Sequence, residues 1–138
     1  MKNLSSHPHD WGLFTVLSVS NHSDDRQTLI DLIPKDQFRV KCVASCQEAL
    51  RCLHAVEPAV IACDDHLPDG SWRDILARIS EVQEAPPLIV MARHADERLW
   101  AEVLNLGGYD VLAKPLERTE VHRVMRMACR FGNVAVTA

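Results

Sequence analysis

The length, composition and charge of the chain exclude several classes of protein. Its 138 residues suit one domain with a full hydrophobic core, and its formal net charge of −4 gives no basic surface for nucleic acid. No apolar stretch is long enough to span a membrane, and residues 1–10 lack the apolar core of a signal peptide, so a cytoplasmic protein is expected. The five cysteines form no CxxC pair, which favours free thiols over a metal or disulfide site.

Hydrophobic periodicity predicts five strands that alternate with five helices. The predicted strands cover 14–19, 38–44, 59–63, 88–92 and 109–113; the predicted helices cover 24–33, 45–54, a segment capped by Ser71, 96–106 and 117–129. Such alternation predicts an α/β domain, a (βα)5 unit with a mainly parallel sheet and helices on both faces. We expect a tail at 1–12, the domain at 13–131 and a second tail at 132–138.

A carboxylate and an ammonium group follow two of the predicted strands. Asp64 comes directly after the third strand, and Lys114 comes directly after the fifth. Because the carboxyl ends of parallel strands meet at one edge, their charged groups should lie within about 4 Å of each other. A carboxylate in this place is a candidate phosphate acceptor. A purely structural ion pair is the alternative that the residues leave open.

Several short motifs together give the chain a resemblance to a known family. They are Asp64 with Leu67-Pro68 after it, then Leu106-Gly107-Gly108, then Lys114-Pro115. In order and spacing they resemble the receiver domain of two-component response regulators, over about residues 14–131. The resemblance implies a flavodoxin-like, doubly wound parallel sheet with strand order 2-1-3-4-5. It also implies a signalling module that is not an enzyme, in which a histidine kinase and Mg²⁺ phosphorylate Asp64, and Lys114 contacts the phosphoryl group.

The chain departs from the family's pattern at four functional positions. Ser20 and Asn21 stand where receivers carry two Mg²⁺-binding acids. Ala92 replaces the hydroxyl residue that ends the fourth strand, and Val111 replaces the aromatic switch residue of the fifth. Tyr109, two residues earlier, could share the face of Val111. These departures predict an atypical or pseudo-receiver, in which phosphorylation of Asp64 is weak.

The resemblance leaves at most a weak Mg²⁺ site. Its ligands would be Asp64, the amide oxygen of Asn21 and the backbone carbonyl of His66, although Mg²⁺ prefers carboxylates and water. The two acids at 24–25 lie one helical turn beyond Asn21 and are predicted to cap the first helix. Asp65 is expected to point away from the edge. No other cofactor is predicted.

A second class of function uses the same fold. The spacing Asp64-x-His66 with Gly70 after it is similar to a cobalamin-binding motif, but the glycine comes one residue late. A small-ligand-binding or enzymatic flavodoxin-like domain is therefore the alternative interpretation.

The fourth helix carries a candidate interaction surface. Trp100 and Leu104 lie one turn apart on it, while Leu99, Val103 and Leu106 are expected to serve the core. The resemblance points to the face made by helix 4, strand 5 and helix 5, for a histidine kinase, another signalling protein or a homodimer. Separately, Trp72 stands where receivers usually have glycine, so the loop after Asp64 is expected to differ in shape.

Overall fold

A computed structural model of the protein describes residues 13–137, with side chains described through residue 130. Strands alternate with helices along the chain, as the sequence predicts. The strands of the main sheet are β1 (Phe14–Val19), β2 (Phe38–Val43), β3 (Val60–Asp64), β4 (Leu88–Ala92) and β5 (Asp110–Ala113). The helices are α1 (Ser23–Leu32), α2 (Cys46–Val56), α3 (Trp72–Ile79), α4 (Glu97–Asn105) and α5 (Arg118–Thr137). A two-residue antiparallel ladder, His66–Leu67 with Gly70–Ser71, lies between β3 and α3.

The five strands form one parallel sheet in the order β2-β1-β3-β4-β5. The predicted α/β class and the flavodoxin-like strand order 2-1-3-4-5 are therefore confirmed. The direction of chain progression reverses between β1 and β3. In open sheets of this kind, sites lie outside the carboxyl ends of the strands at that reversal. The residues that follow β1, β3, β4 and β5 are consequently brought together at one edge.

Successive residues of the strands face two hydrophobic cores, one on each face of the sheet. The first core joins alternate strand residues to α2, α3 and α4, and includes Leu17, Val19, Ile61, Cys63, Val90, Ala49, Ile75 and Val103. The second joins the remaining strand residues to α1 and α5, and includes Val16, Ala62, Ile89, Met91, Leu112, Leu29, Val121 and Met125. All five residues of β3 are buried, which is why the strand reads as a continuous apolar run that ends in Asp64.

The predicted end of the last helix at residue 129 is wrong. Helix α5 continues to Thr137, so the tail predicted at 132–138 begins within the helix. The segment beyond 129 contains no proline, and a single glycine such as Gly132 costs a helix only about 1 kcal/mol. The tail predicted at 1–12 lies outside the described residues. No helix within residues 13–137 is long and apolar enough to cross a membrane.

Candidate functional site

The predicted pairing of Asp64 with Lys114 is confirmed. Asp64 is the last residue of β3, and Lys114 directly follows β5 at the same edge of the sheet. The Lys114 Nζ atom donates a hydrogen bond of 2.8 Å to Asp64 Oδ1. Only 6% of the Lys114 side chain and 2% of the Asp64 side chain are exposed. Both charges are therefore removed from bulk water and depend on protein partners.

The second oxygen of the Asp64 carboxylate is bound by Ser20. This serine directly follows β1, the strand that pairs with β3, and it is itself buried. Its hydroxyl donates a 2.6 Å hydrogen bond to Asp64 Oδ2. Where the resemblance suggested a lost acid, the structure has a neutral donor aimed at the candidate phosphoacceptor. Each oxygen of Asp64 thus accepts a hydrogen bond from within the protein.

A second carboxylate, that of Asp25, reaches Lys114 from helix α1. Asp25 Oδ2 lies 2.8 Å from Lys114 Nζ and 3.7 Å from Arg93 Nη2. The predicted capping role is wrong, because the N-cap of α1 is His22 and its side chain makes no capping hydrogen bond. The first turn of α1 instead places Asp25 over the edge of the sheet.

The ion pairs shift the pKa values of Lys114 and Asp25 in opposite directions. Burial opposes a charge on Lys114, but the hydrogen bonds to Asp25 and Asp64 outweigh it and raise the pKa of the ammonium above its usual value. Burial also opposes a charge on Asp25, yet the Lys114 hydrogen bond and charge outweigh it and lower the pKa of that carboxyl. Lys114 and Asp25 are therefore both charged at neutral pH.

The weak magnesium site predicted from Asp64, Asn21 and the His66 carbonyl stays a prediction. The side chains of Asn21 and His66 are exposed, and Asp65 Oδ2 lies 3.7 Å from His66 Nε2. Among residues 13–130, no group of three or more histidine, cysteine, aspartate or glutamate side chains is arranged to hold a metal ion. The backbone carbonyl of Ser20 accepts a 2.8 Å hydrogen bond from Arg26, so the α1 side of the site also carries a cation.

The two predicted switch positions are apolar and buried. Ala92 ends β4 with no exposed surface, and Val111 in β5 is 8% exposed. Val111 belongs to the core that contacts α2, α3 and α4. Tyr109 packs against the opposite core, so the expectation that it shares the face of Val111 is wrong. Strand β5 begins only at Asp110, so Tyr109 lies before the regular alternation of the strand.

Hydrogen bonds hold the loop after Asp64 against α2. The Asp69 carboxylate accepts hydrogen bonds of 2.8 Å from the Cys46 amide and 3.0 Å from the Gln47 amide, at the first turn of α2. Ser71 caps α3, as predicted, in a capping box with Asp74. The next residue, Trp72, begins α3 and is completely buried. The position of Asp69 before Gly70 predicts a turn but not these two hydrogen bonds.

The candidate interaction surface is partly apolar. Trp100 and Leu104 on α4 are 50% and 38% exposed, and Trp100 Nε1 donates a 3.3 Å hydrogen bond to Asp110 Oδ1. Val103 is buried as expected, but Leu106 is 53% exposed, so its predicted place in the core is wrong. Leu106 is the C-cap of α4, so it lies at the point where the helix ends and no longer follows the buried face of the helix.

Comparison with known proteins identifies the family. A family model described as "Response regulator receiver domain" matches residues 16–126. "Two-component response regulator ORR5" of Oryza sativa subsp. japonica is 30% identical over 120 residues, which cover 83% of this chain and 88% of that protein. "Transcriptional regulatory protein FixJ" of Rhizobium meliloti (strain 1021) is 26% identical over 115 residues, which cover 83% of this chain but only 56% of FixJ.

Solved structures share the fold at lower identity. The signal receiver domain of an HD domain-containing protein from Pseudomonas fluorescens Pf-5 has a TM-score of 0.79 and 24% identity, covering 88% of this chain and 98% of that one. The chemotaxis response regulator CheY4 of Vibrio cholerae has a TM-score of 0.74 and 18% identity, covering 84% and 98%. With its parallel sheet, its Asp64 and Lys114 at one edge, and these relatives, the chain belongs to the response regulator receiver domain family of two-component signalling.

Proposed function

We propose that this domain is an atypical receiver that signals through protein–protein contacts, with little or no phosphorylation of Asp64. The observation that carries the proposal is the burial and hydrogen bonding of the Asp64 carboxylate. Its two oxygens accept hydrogen bonds from Lys114 and Ser20, and the residue is 1% exposed. Attack on a phosphoryl donor requires one oxygen to leave its partner and reach solvent. That movement would uncover a buried ion pair, which is costly.

The positions around Asp64 support the same proposal. Phosphoryl transfer needs positive charge, usually a metal ion, to offset repulsion between the carboxylate and the incoming phosphate. Ser20 offers no carboxylate for such an ion. Ala92 offers no hydroxyl to the phosphoryl oxygens, and Val111 is no aromatic switch. We therefore expect slow transfer of a phosphoryl group to Asp64 and weak binding of that group once it is attached. We also expect little conformational change in response to it.

The proposed partners are a histidine kinase or another signalling protein, and a second copy of the chain is a further candidate. A homodimer would use the surface formed by α4, β5 and α5, and no catalytic activity is proposed. The cytoplasmic location and the absence of nucleic-acid binding stay predictions. The chain spans about half the length of FixJ, so the activity of such longer regulators is not carried over. No observation favours the small-ligand alternative.

Incubation of the protein with acetyl phosphate and millimolar Mg²⁺ should leave its intact mass unchanged. The reason is that Asp64 is buried and both of its oxygens are bound inside the protein. The measurement is intact-mass spectrometry over a time course, with a receiver of ordinary site composition as the positive control. The variant Asp64→Asn identifies any label that falls elsewhere on the chain. Stoichiometric labelling that disappears in Asp64→Asn would refute the proposal.

Substitution of Trp100 by alanine should weaken binding to a partner or self-association by about 1–3 kcal/mol, while the domain stays folded. Half of this tryptophan is exposed, and it lies one turn from the exposed Leu104. Large aromatic side chains in such places commonly anchor interfaces. The measurement is sedimentation equilibrium for self-association and a titration with a candidate kinase.

The matched control for Trp100 is the exposed Val82, which lies after α3 and away from this surface. Val82→Ala should leave association unchanged, and circular dichroism should show both variants folded. Equal association of wild type, Trp100→Ala and Val82→Ala would show that this surface is not the interface.

A further inference from the structure

We propose that the Lys114 ammonium, held between Asp25 and Asp64, permanently takes the place of the divalent cation that the family implies. Asp25 would then be a positioning residue that keeps the ammonium in place. The inference rests on the proposed function, because both start from an Asp64 carboxylate that is buried and hydrogen-bonded to Lys114 and Ser20. It makes a separate claim, however, about which cation the site accepts, and that claim is tested without phosphorylation.

The geometry of the carboxylates fits an ammonium group. Lys114 Nζ lies 2.8 Å from Asp25 Oδ2 and 2.8 Å from Asp64 Oδ1, both ordinary distances for charge-assisted hydrogen bonds. An ammonium group has three donors, and two of them are used here. The 6% exposure of the lysine side chain leaves little access for water, which Mg²⁺ usually retains in its coordination shell.

The donor set does not fit Mg²⁺. This ion demands near-octahedral oxygen coordination, normally with one or two free carboxylates. The two carboxylates that the site offers are both paired with Lys114, and the second oxygen of Asp64 is hydrogen-bonded to Ser20. The Ser20 carbonyl accepts from Arg26. A metal ion that used Asp64 or Asp25 Oδ2 would have to displace these donors.

The charge of the site also disfavours a divalent cation. Two carboxylates, those of Asp25 and Asp64, face three cations: Lys114 between them, Arg93 near Asp25, and Arg26 on the Ser20 carbonyl. The Lys114 charge, which salt screens weakly because the Lys114–Asp64 pair is buried, therefore opposes the approach of Mg²⁺.

The experiment uses Mn²⁺ as the probe, since it binds the same oxygen ligands as Mg²⁺ and is paramagnetic. Mn²⁺ binding is measured by electron paramagnetic resonance and by the shift of the thermal midpoint of the whole chain. Wild type and the control Lys41→Met, which removes an exposed lysine from β2, should show no saturable binding. Lys114→Met frees two carboxylates and should bind Mn²⁺ at least about tenfold more tightly, with a midpoint that rises with Mn²⁺ concentration. Asp25→Asn combined with Lys114→Met should lose that gain.

Three outcomes would overturn the inference. Wild type could bind Mn²⁺ as tightly as Lys114→Met, or the double variant could bind as tightly as Lys114→Met. Alternatively, Lys114→Met that circular dichroism shows to be folded could bind no more Mn²⁺ than wild type, which would show that the ammonium is not what excludes the ion. Failure of this inference is distinct from failure of the proposed function. If wild type binds Mn²⁺ but takes no phosphate, only the claim that the ammonium replaces the metal ion is overturned. If wild type is phosphorylated without binding Mn²⁺, only the proposed function is overturned.

Discussion

Replacement of Lys114 by alanine is expected to lower the free energy of unfolding at neutral pH by about 3–5 kcal/mol. The substitution removes the donor shared by Asp25 and Asp64, whose oxygens lie 2.8 Å from Lys114 Nζ. Asp64 would then keep only its hydrogen bond from Ser20. A carboxylate that is 1% exposed and loses its cation is costly, because burial disfavours its charge. The measurement is urea denaturation followed by circular dichroism.

Two further variants separate the buried charge from the loss of a side chain. Lys41→Ala truncates an exposed lysine and should change stability by less than about 0.5 kcal/mol. Asp64→Asn added to Lys114→Ala removes the uncompensated charge and should recover a large part of the loss, a coupling that a double-mutant cycle measures. A loss below about 1 kcal/mol in Lys114→Ala would mean that the ion pairs contribute little.

The fold could be predicted because its signals are local and repeated. Continuous apolar runs mark strands buried on both faces, and β3 and β4 are the clearest of these. Turn and capping residues then separate each strand from the following helix, as Ser71 does for α3. The end of α5 was less predictable, because no strong breaker follows Cys129 and the helix simply continues.

The candidate site was predictable only in part, since it depends on contacts between distant segments. The pairing of Asp64 with Lys114 could be predicted because one ends and the other directly follows a strand of the same parallel sheet. Nothing in the sequence shows that the Ser20 hydroxyl would bond Asp64 Oδ2, because serine in this position reads only as a missing acid. The pairing of Asp25 with Lys114 depends on the direction of the first turn of α1, which a capping pattern does not specify.

A further contact joins α3 to α4, the helix that carries the proposed interaction surface. Arg73 on α3 and Glu102 on α4 form a bidentate ion pair, with Arg73 Nη2 2.6 Å from Glu102 Oε1. The Arg73 guanidinium also lies 4.7 Å from the centre of the Trp72 ring. Both partners of the ion pair are partly exposed, so the bond orients α4 more than it stabilises the fold.

Substitution of Trp72 by alanine is expected to lower the free energy of unfolding by about 3–5 kcal/mol. Trp72 is a fully buried side chain in the core between the sheet and α2, α3 and α4. Its truncation would leave a cavity at the start of α3, directly after the loop that Asp69 ties to α2. The loop that follows Asp64 would lose packing support as well. The measurement is again urea denaturation, with tryptophan fluorescence as a second probe.

The variant Trp72→Phe tests whether packing or the indole N–H matters. Among the described residues, Trp72 Nε1 has no hydrogen-bond partner, so removal of this polar group should partly offset the lost volume. Trp72→Phe should therefore cost less than half of what Trp72→Ala costs. Trp100→Ala removes the same side chain from a position that is 50% exposed, and should change the free energy of unfolding by less than about 1 kcal/mol. Equal losses in Trp72→Ala and Trp100→Ala would contradict the burial of Trp72, because only a buried tryptophan leaves a cavity when it is truncated.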